Sequence, residues 1–317
     1  MDKYELLVNP DPRRWIDVLG MAEKEFGWRA SKHDYESYLN GYGKDGEFRS
    51  LFLCDTGTRE TMGSALTATV DTEQGEKLMS IGWYYLKKEL RGHGIGTELF
   101  NKITAEKKLQ GTNMCLTAAP DMSVKYAAKS GFAEYSWHIS VISAQTSDID
   151  VFNFEIDGCT NVCNMDQVAW DKIVAFDEKV QGGVKRSNFL KCFFTQKGAL
   201  NKFAISDDGS VIGYCNIRTV GVEENDLVIA PFYAKDKATA AALLKETLMA
   251  AGDNLGECKS VLLCPPKHNQ EAVDIMSALT NGKAVVEINY PRQFTKAVIP
   301  AKEQMIFSIS DYVLGHA

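Results

Sequence analysis

The chain has 317 residues, 45% of them hydrophobic and 24% charged, with a formal net charge of −7. That length suits two domains of ordinary size, each able to bury its own core. The acidic balance argues against a nucleic-acid partner, which draws a basic surplus. No apolar run is long enough to suggest a membrane span.

The opening segment, MDKYELLVNPDPRRW, lacks the apolar stretch of a secretory signal. Residues 12–25 read as a helix with Trp15, Val18, Leu19 and Ala22 on one face. A second helix is expected over 31–40, with Ser31 as its N-cap. Strands are expected at 48–54, 62–71 and 78–86, separated by Asp55-Thr56-Gly57 and Glu73-Gln74-Gly75. A glycine-rich turn then leads into a helix over 95–109, striped by Ile95, Leu99, Phe100 and Ile103. Glu98 and Lys102 pair along it, Lys107 and Lys108 suit its C-terminal end, and Gly111 can stop it. A strand over 113–118, a short helix over 121–130 and a strand from Gly131-Phe132 to 143 follow.

The polar stretch from Ser143 to Asp150 is the best linker. Beyond it, 162–180 reads as helical, and 189–194, 201–205 and 211–220 as strands. The earlier order then recurs: strand 227–230, helix 238–251 (Ala240, Leu243, Leu244, Leu248 apolar), strand 259–264 and helix 270–279. This suggests a diverged duplication, with domains at 1–145 and 150–317.

The eight cysteines, Cys54, Cys115, Cys159, Cys163, Cys192, Cys215, Cys258 and Cys264, form no CxxC and no zinc-spaced cluster. They read as reduced, partly buried thiols of a cytoplasmic protein without a metal. Gly41-Tyr42-Gly43-Lys44-Asp45-Gly46 matches GxGxxG literally, but a helix is expected before it and a strand after it. A dinucleotide turn needs the reverse, so this reads as a structural loop. No GxxxxGK[ST] occurs.

The informative segment is Leu86 to Phe100, LKKELRGHGIGTELF. A strand ends, a turn with three glycines follows, and an amphipathic helix begins. Glycines permit positive φ and close approach of a ligand. Successive N–H groups in such a turn form an anion nest, and the helix start adds unpaired donors and the positive dipole end. Arg91 adds a permanent charge. The chemistry suits a pyrophosphate.

RxxGxG over Arg91–Gly96, set between a strand and a helix and followed by a strand, a helix and Gly131-Phe132, resembles the GNAT acetyltransferase superfamily. The resemblance covers roughly residues 4–143. Three further features resemble the members with a C-terminal, degenerate GNAT-like domain: Phe26-Gly27-Trp28 with Asp34, Phe176-Asp177 with Arg186, and DLVIAPFY over 226–233. The resemblance implies an α/β (α+β) fold of tandem GNAT-like domains, each a central mixed, mostly antiparallel sheet flanked by helices. It implies acetyl-CoA, or another acyl-CoA, as cosubstrate. The backbone of Arg91, Gly92, His93, Gly94, Ile95, Gly96 and Thr97 would hold the CoA pyrophosphate, and Tyr84, Tyr85 and Leu86 would run along the pantetheine and thioester. The second domain's equivalent turn, residues 231–237, has no glycine, and Asp236 suits a helix cap. One CoA site per chain follows, with the second domain shaping the acceptor site or an interface.

The implied reaction is direct attack of an amine on the thioester, helped by alignment and by a backbone N–H near Leu86. In many members the proton for the leaving thiolate comes from a Tyr in YxxxGF. Here the aligned residue is Ala127, and Tyr126 is one position early, turned by ~100° on a helix; it is the acid candidate, with packing on a neighbour as the alternative. Candidate bases are Glu25, Asp34, Glu36 and Asp71, each of which also reads as a surface charge or cap. His93 reads as a phosphate contact. Trp28 and Trp83, with Tyr84 and Tyr85, are candidates to line an acceptor pocket, or core. The expected acceptor is a small-molecule amine or amino acid. The alternatives are a protein lysine or N-terminal acetyltransferase and a non-catalytic acyl-CoA or metabolite-binding protein.

Overall fold

The computed structural model describes residues 3–155 and 160–315, so Cys159 and His316 lie outside the described residues. The first half contains β1 (Tyr4–Val8), α1 (Arg13–Phe26), α2 (Asp34–Ser37), α3 (Gly43–Asp45), β2 (Gly46–Asp55), β3 (Thr61–Asp71), β4 (Lys77–Leu86), α4 (Ile95–Leu109), β5 (Asn113–Thr117), α5 (Ser123–Ser130) and β6 (Glu134–Gln145). The second contains β7 (Asn161–Cys163), α6 (Trp170–Val180), α7 (Ser187–Thr195), β8 (Leu200–Ile205), β9 (Val211–Val220), β10 (Asp226–Ala234), α8 (Lys237–Ala251), α9 (Asp253–Glu257), β11 (Ser260–Leu263), α10 (Gln270–Leu279), β12 (Val285–Phe294) and β13 (Ile306–Ser308).

The strands form one 13-stranded sheet in the order β1-β2-β3-β4-β5-β12-β6-β11-β10-β9-β8-β7, with β13 paired to β10. Among the described residues only β4–β5 and β10–β11 are parallel; the other pairs are antiparallel. The order β4-α4-β5-α5-β6 recurs as β10-α8-β11-α10-β12, as the sequence suggests. What the sequence does not suggest is the exchange in the middle. β12 runs between β5 and β6, and β6 runs between β12 and β11. Each half of the sheet is therefore completed by the last long strand of the other half.

Helices cover both faces. On one face α1, α6 and α7 bury Trp15, Val18, Leu19, Ile173, Phe189 and Phe193 against strand residues such as Leu66, Leu78 and Tyr214. On the other, α4 packs on β3 and β4 through Leu99, Phe100 and Ile103, and α8 and α10 pack on β9 to β11. The apolar spacing of α1 and α4 decides which side of each helix turns inward.

Three expected elements differ. Residues 189–194 lie in α7, a helix rather than a strand. FLKCFF reads as strand by its aromatics, yet Phe189, Leu190, Phe193 and Phe194 fall on one helical face and are all buried. The N-terminal N–H groups of α7 at Asn188 and Phe189 are capped by the Asp45 carboxylate, at 2.8 and 2.7 Å, from 143 and 144 residues away. Residues 162–180 begin as a short strand, and the helix starts only at Trp170. Ser31 is not an N-cap: its own N–H donates to the Asp34 carboxylate at 2.9 Å, and the helix starts at Asp34. The GxGxxG segment is a π-type turn and α3 leading into β2, with no strand–turn–helix setting.

After β13 the chain crosses the α1 face as a buried tail, Ile309 to Leu314. Tyr38 donates to Asp311 at 2.5 Å, the Arg29 N–H donates to the Tyr312 hydroxyl at 2.8 Å, and Arg186 donates to Ser310 at 2.8 Å. The tail ends against Gly82 of β4. A Cβ at Gly82 would lie 2.1 Å from the Val313 carbonyl oxygen and 2.8 Å from the Leu314 Cα. Both are backbone atoms, so glycine is required for the tail to dock. Gly82→Ala should therefore lower unfolding free energy by about 1–3 kcal/mol, as overpacking does, and expose the tail to proteolysis. An unchanged urea midpoint with an unchanged digestion pattern would refute this docking.

Candidate active site

β4 and β5 pair in parallel from Leu78↔Asn113 to Ile81↔Leu116 and then part. β4 runs on to Leu86 with no β5 partner. On its β3 side the register shifts between Ser64↔Tyr85 and Leu66↔Gly82. Trp83 sits in this bulge at φ +47°, an outlier for a bulky residue and a place where strain is stored. The opening between β4 and β5 therefore begins at a distorted strand whose backbone is not fully used by the sheet.

The glycine turn stands at the end of β4. Gly92 and Gly94 adopt φ of +82° and +81°, which a β-carbon disfavours. Glu98 makes the first helical bond of α4, to the Gly94 carbonyl at 3.0 Å. The N–H groups of Ile95, Gly96 and Thr97 are thus left without helical acceptors, and those of Gly92, His93 and Gly94 have none among the described residues. Gly92, His93, Gly94 and Thr97 are exposed, and Ile95 and Gly96 half-buried. A run of outward donors at a 15-residue helix start can hold an anion. The third glycine has a different cause. A Cβ at Gly96 would lie 2.6 Å from the Tyr84 hydroxyl, so Gly96 lets the Tyr84 ring lie against the helix start.

The remaining expected residues divide between the two faces. Tyr84 packs edge-on against Phe100 at 5.6 Å, and Phe100 meets Tyr126 at 5.7 Å. Both tyrosines are half-buried beside the turn. Burial holds the Tyr84 phenol up at about 12. Burial, then the neighbouring Tyr84, holds Tyr126 higher still. Both hydroxyls stay protonated near neutral pH.

Tyr85 points to the opposite face, where it donates to Glu25 at 2.9 Å, and burial followed by Glu25 raises its phenol to about 12. The Arg91 side chain also turns to that side. Its Nε donates to the Leu86 carbonyl at 2.8 Å, its Nη atoms donate to Glu25 at 2.5 and 2.8 Å, and it stacks near Phe26 and Tyr85. Arg91 thus anchors the turn to α1, and its charge is matched by Glu25 instead of standing free. Leu86 is buried and pairs with Gly63.

Among the expected bases, Glu25 is held below the usual carboxylate range first by its hydrogen bonds from Arg91. Asp34 is fully buried and bonded to Arg218 at 3.2 and 3.3 Å. Asp71 pairs with Lys77 at 2.7 Å, and Glu36 is exposed. None of the four is a free carboxylate at the opening. Trp83 is fully buried between Trp15 and Trp28, at 4.5 and 5.7 Å. Trp28 is partly buried and also meets Phe26.

One contributor was invisible in the local sequence. Gln293 of β12 donates to the Phe132 carbonyl at 2.8 Å and to the Ser123 carbonyl at 3.2 Å. It fixes both ends of α5, the helix that carries Tyr126. The strand-like run EINYPRQF is the only signal that could have pointed to it.

The second half has the same geometry without the opening. β10 and β11 pair from Asp226↔Ser260 to Ile229↔Leu263 and then part. β13 fills this gap, pairing with β10 through Phe232↔Ser308 and Tyr233↔Ile306. It bonds to the β11 side as well: the Cys264 N–H donates to Ser308 Oγ at 2.8 Å, and the Ile309 N–H donates to the Cys264 carbonyl at 3.0 Å. Asp236 caps α8, accepting from the Thr239 N–H at 2.8 Å. Both places where a ligand would enter are occupied by the chain itself.

Among the described residues no group of three or more His, Cys, Asp or Glu could hold a metal, and no helix is long and apolar enough to cross a membrane.

Residues 173–282 match the family model of an acetyltransferase (GNAT) domain. Comparison with curated protein sequences finds no significant match. Among solved structures, a candidate acetyltransferase from Pyrococcus horikoshii superposes with a TM-score of 0.69 at 14% identity, covering 99% of this chain and 97% of that one. A tandem GNAT protein from the clavulanic acid biosynthesis pathway gives 0.66 at 14% identity, covering 92% and 98%. Saccharomyces cerevisiae N-myristoyltransferase with bound myristoyl-CoA gives 0.60 at 10% identity, covering 93% and 78%. Identities this low speak for the fold alone, and that fold is the tandem one. The matched segment marks residues 173–282 as a GNAT acetyltransferase domain, and the two-fold repetition of the strand–turn–helix unit and the superpositions show that the chain as a whole has the tandem GNAT fold.

Proposed function

We propose that the chain is an acyl-CoA-dependent N-acyltransferase with one donor site, in the opening between β4 and β5, acting on a small-molecule amine or amino acid. The observation that carries this is the exposed run of free N–H groups from Gly92 to Thr97 beside the point where β4 and β5 part with no described strand between them. These donors would take the CoA pyrophosphate, with His93 exposed at the same turn. Tyr84 would lie along the pantetheine, and the bulged backbone around Trp83 would offer an N–H to the thioester carbonyl. The amine nitrogen attacks that carbonyl carbon, the C–S bond breaks, and the amide forms. The amine gives up its proton to solvent, and Tyr126, a phenol held neutral by burial, gives one to the departing sulfur.

Acetyl-CoA is the donor of choice, since the half-buried rings of Tyr84 and Tyr126 leave a short acyl group as the natural fit. A small acceptor is favoured over a protein by the tail from Ile309 to Leu314, which covers the α1 face next to Gly82. The second half supports the acceptor side through β12 and the tail.

Two measurements test this reading. Gly94→Asp places a carboxylate in the anion nest, and acetyl-CoA affinity by calorimetry should fall at least about tenfold, equivalent to 1.4 kcal/mol. Unchanged affinity would remove the turn from the donor site. Tyr126→Phe keeps the ring and removes the proton; kcat for CoA release should fall about a hundredfold, with KM for acetyl-CoA little changed. A wild-type kcat in that variant would mean that the proton comes from elsewhere.

A further inference from the structure

Arg292 of β12 is 3% exposed, and its Nη2 has no hydrogen-bond partner. No carboxylate lies within ion-pair distance of it among the described residues. Its guanidinium sits 5.2 Å from the ring centres of both Trp137 and Phe294. Burial lowers its pKa; the Cys115 thiol, to which it hydrogen-bonds, and Tyr233 act the other way, and the one permanent charge acting on it is another cation, Arg186. The two other buried arginines of this chain are answered: Arg186 by Asp177 at 2.7 and 3.0 Å, and Arg218 by Asp34. A buried charge without a counter-charge costs far more than a paired one. Two stacked rings return only a small part of that cost.

Its position gives the missing counter-charge a meaning. The Cα partner of Arg292 is Thr117, one residue past Leu116, where β4 and β5 part. Strands in a sheet lie about 4.8 Å apart, so Arg292 stands one strand beyond the opening. Arg292 contacts Trp137 and Phe294, which belong to the same core cluster as Trp83. It therefore lies on the α1 face, away from the Gly92–Thr97 donors that α4 presents. Trp83 Nε1, on the β4 side of the opening, is a second buried donor without a partner. Two buried donor atoms without a partner, Arg292 Nη2 and Trp83 Nε1, thus belong to the α1 face of strands on either side of the opening.

We propose that Arg292 binds a carboxylate carried by the acceptor, so that the substrate class is amino acids and not simple amines. A guanidinium matches a carboxylate with two parallel N–H···O bonds, which fixes orientation as well as charge. The amine of an α-amino acid is two bonds from its carboxyl carbon, which suits a nitrogen at the opening and a carboxylate one strand away. The aromatic walls at Trp137 and Phe294 exclude water and strengthen that pairing. The inference rests on the acyltransferase reading, and the test separates the two.

CoA release from acetyl-CoA is measured with the full chain on matched pairs, each an amino acid and its carboxamide, compared at equal free-amine concentration. The amino acids should be used with kcat/KM at least about tenfold above their amides, the loss expected when a buried charge pair is broken. Arg292→Gln should abolish that preference by raising KM for the acid alone, and Arg292→Lys should restore part of it. Equal use of acid and amide, or preference for the amide, overturns the inference and leaves the acyltransferase reading intact. Acetyl-CoA binding without release by any amine overturns the acyltransferase reading instead. Heat stabilisation by N-acetyl amino acids against their amides then decides Arg292 separately: a selective effect of the acid supports it, and no difference overturns it. Should Arg292→Gln fail to fold, the wild-type comparison of acid with amide decides the inference by itself.

Discussion

The exchange of β6 and β12 is the constraint on which the rest of this molecule depends. Backbone N–H and C=O groups buried in a sheet must be paired. β5 finds its partner in β12, and β11 finds its partner in β6. Neither half can complete its sheet from its own residues. A buried ion pair reinforces the join: Asp34 of α2 meets Arg218 of β9. Removing one partner of a buried pair costs about 3–5 kcal/mol, which ties the halves energetically as well as topologically.

The same exchange delivers second-half residues to the proposed first-half site. Gln293 fixes α5, and with it Tyr126, through two carbonyls. Arg292, its neighbour in β12, reaches the opposite face of the sheet. One strand thus serves both sides of the opening, because successive side chains of a strand point to opposite faces.

The two halves are similar in order and opposite in use. In the first, β4 and β5 part and no described strand pairs between them, the tail only touching Gly82 from the α1 face. In the second, β13 enters the corresponding gap and satisfies β10 on one side and Cys264 on the other. Asp236 occupies the helix start with a carboxylate where the first half has Gly94. A strand of three residues and one capping side chain are enough to fill the corresponding gap with core.

Much was legible in the sequence because it is local. The helix at 95–109, the strands at 62–71, 78–86 and 211–220, and the positive-φ turn at Gly92 and Gly94 follow from periodicity and from the absence of a β-carbon. The Asp236 cap was legible for the same reason. Tertiary structure decided what depends on distant partners. Residues 189–194 became helix because Asp45 caps α7 and Tyr42 stacks on Phe189 at 4.0 Å. Arg91 turned away from the anion nest because Glu25, on α1, holds it. The role of β12 has no local trace at all: which strand lies beside β5 is fixed by backbone pairing between segments about 175 residues apart. The sequence by itself determined the elements and the donor turn, and the pairing of the strands decided which side chains face one another across the opening.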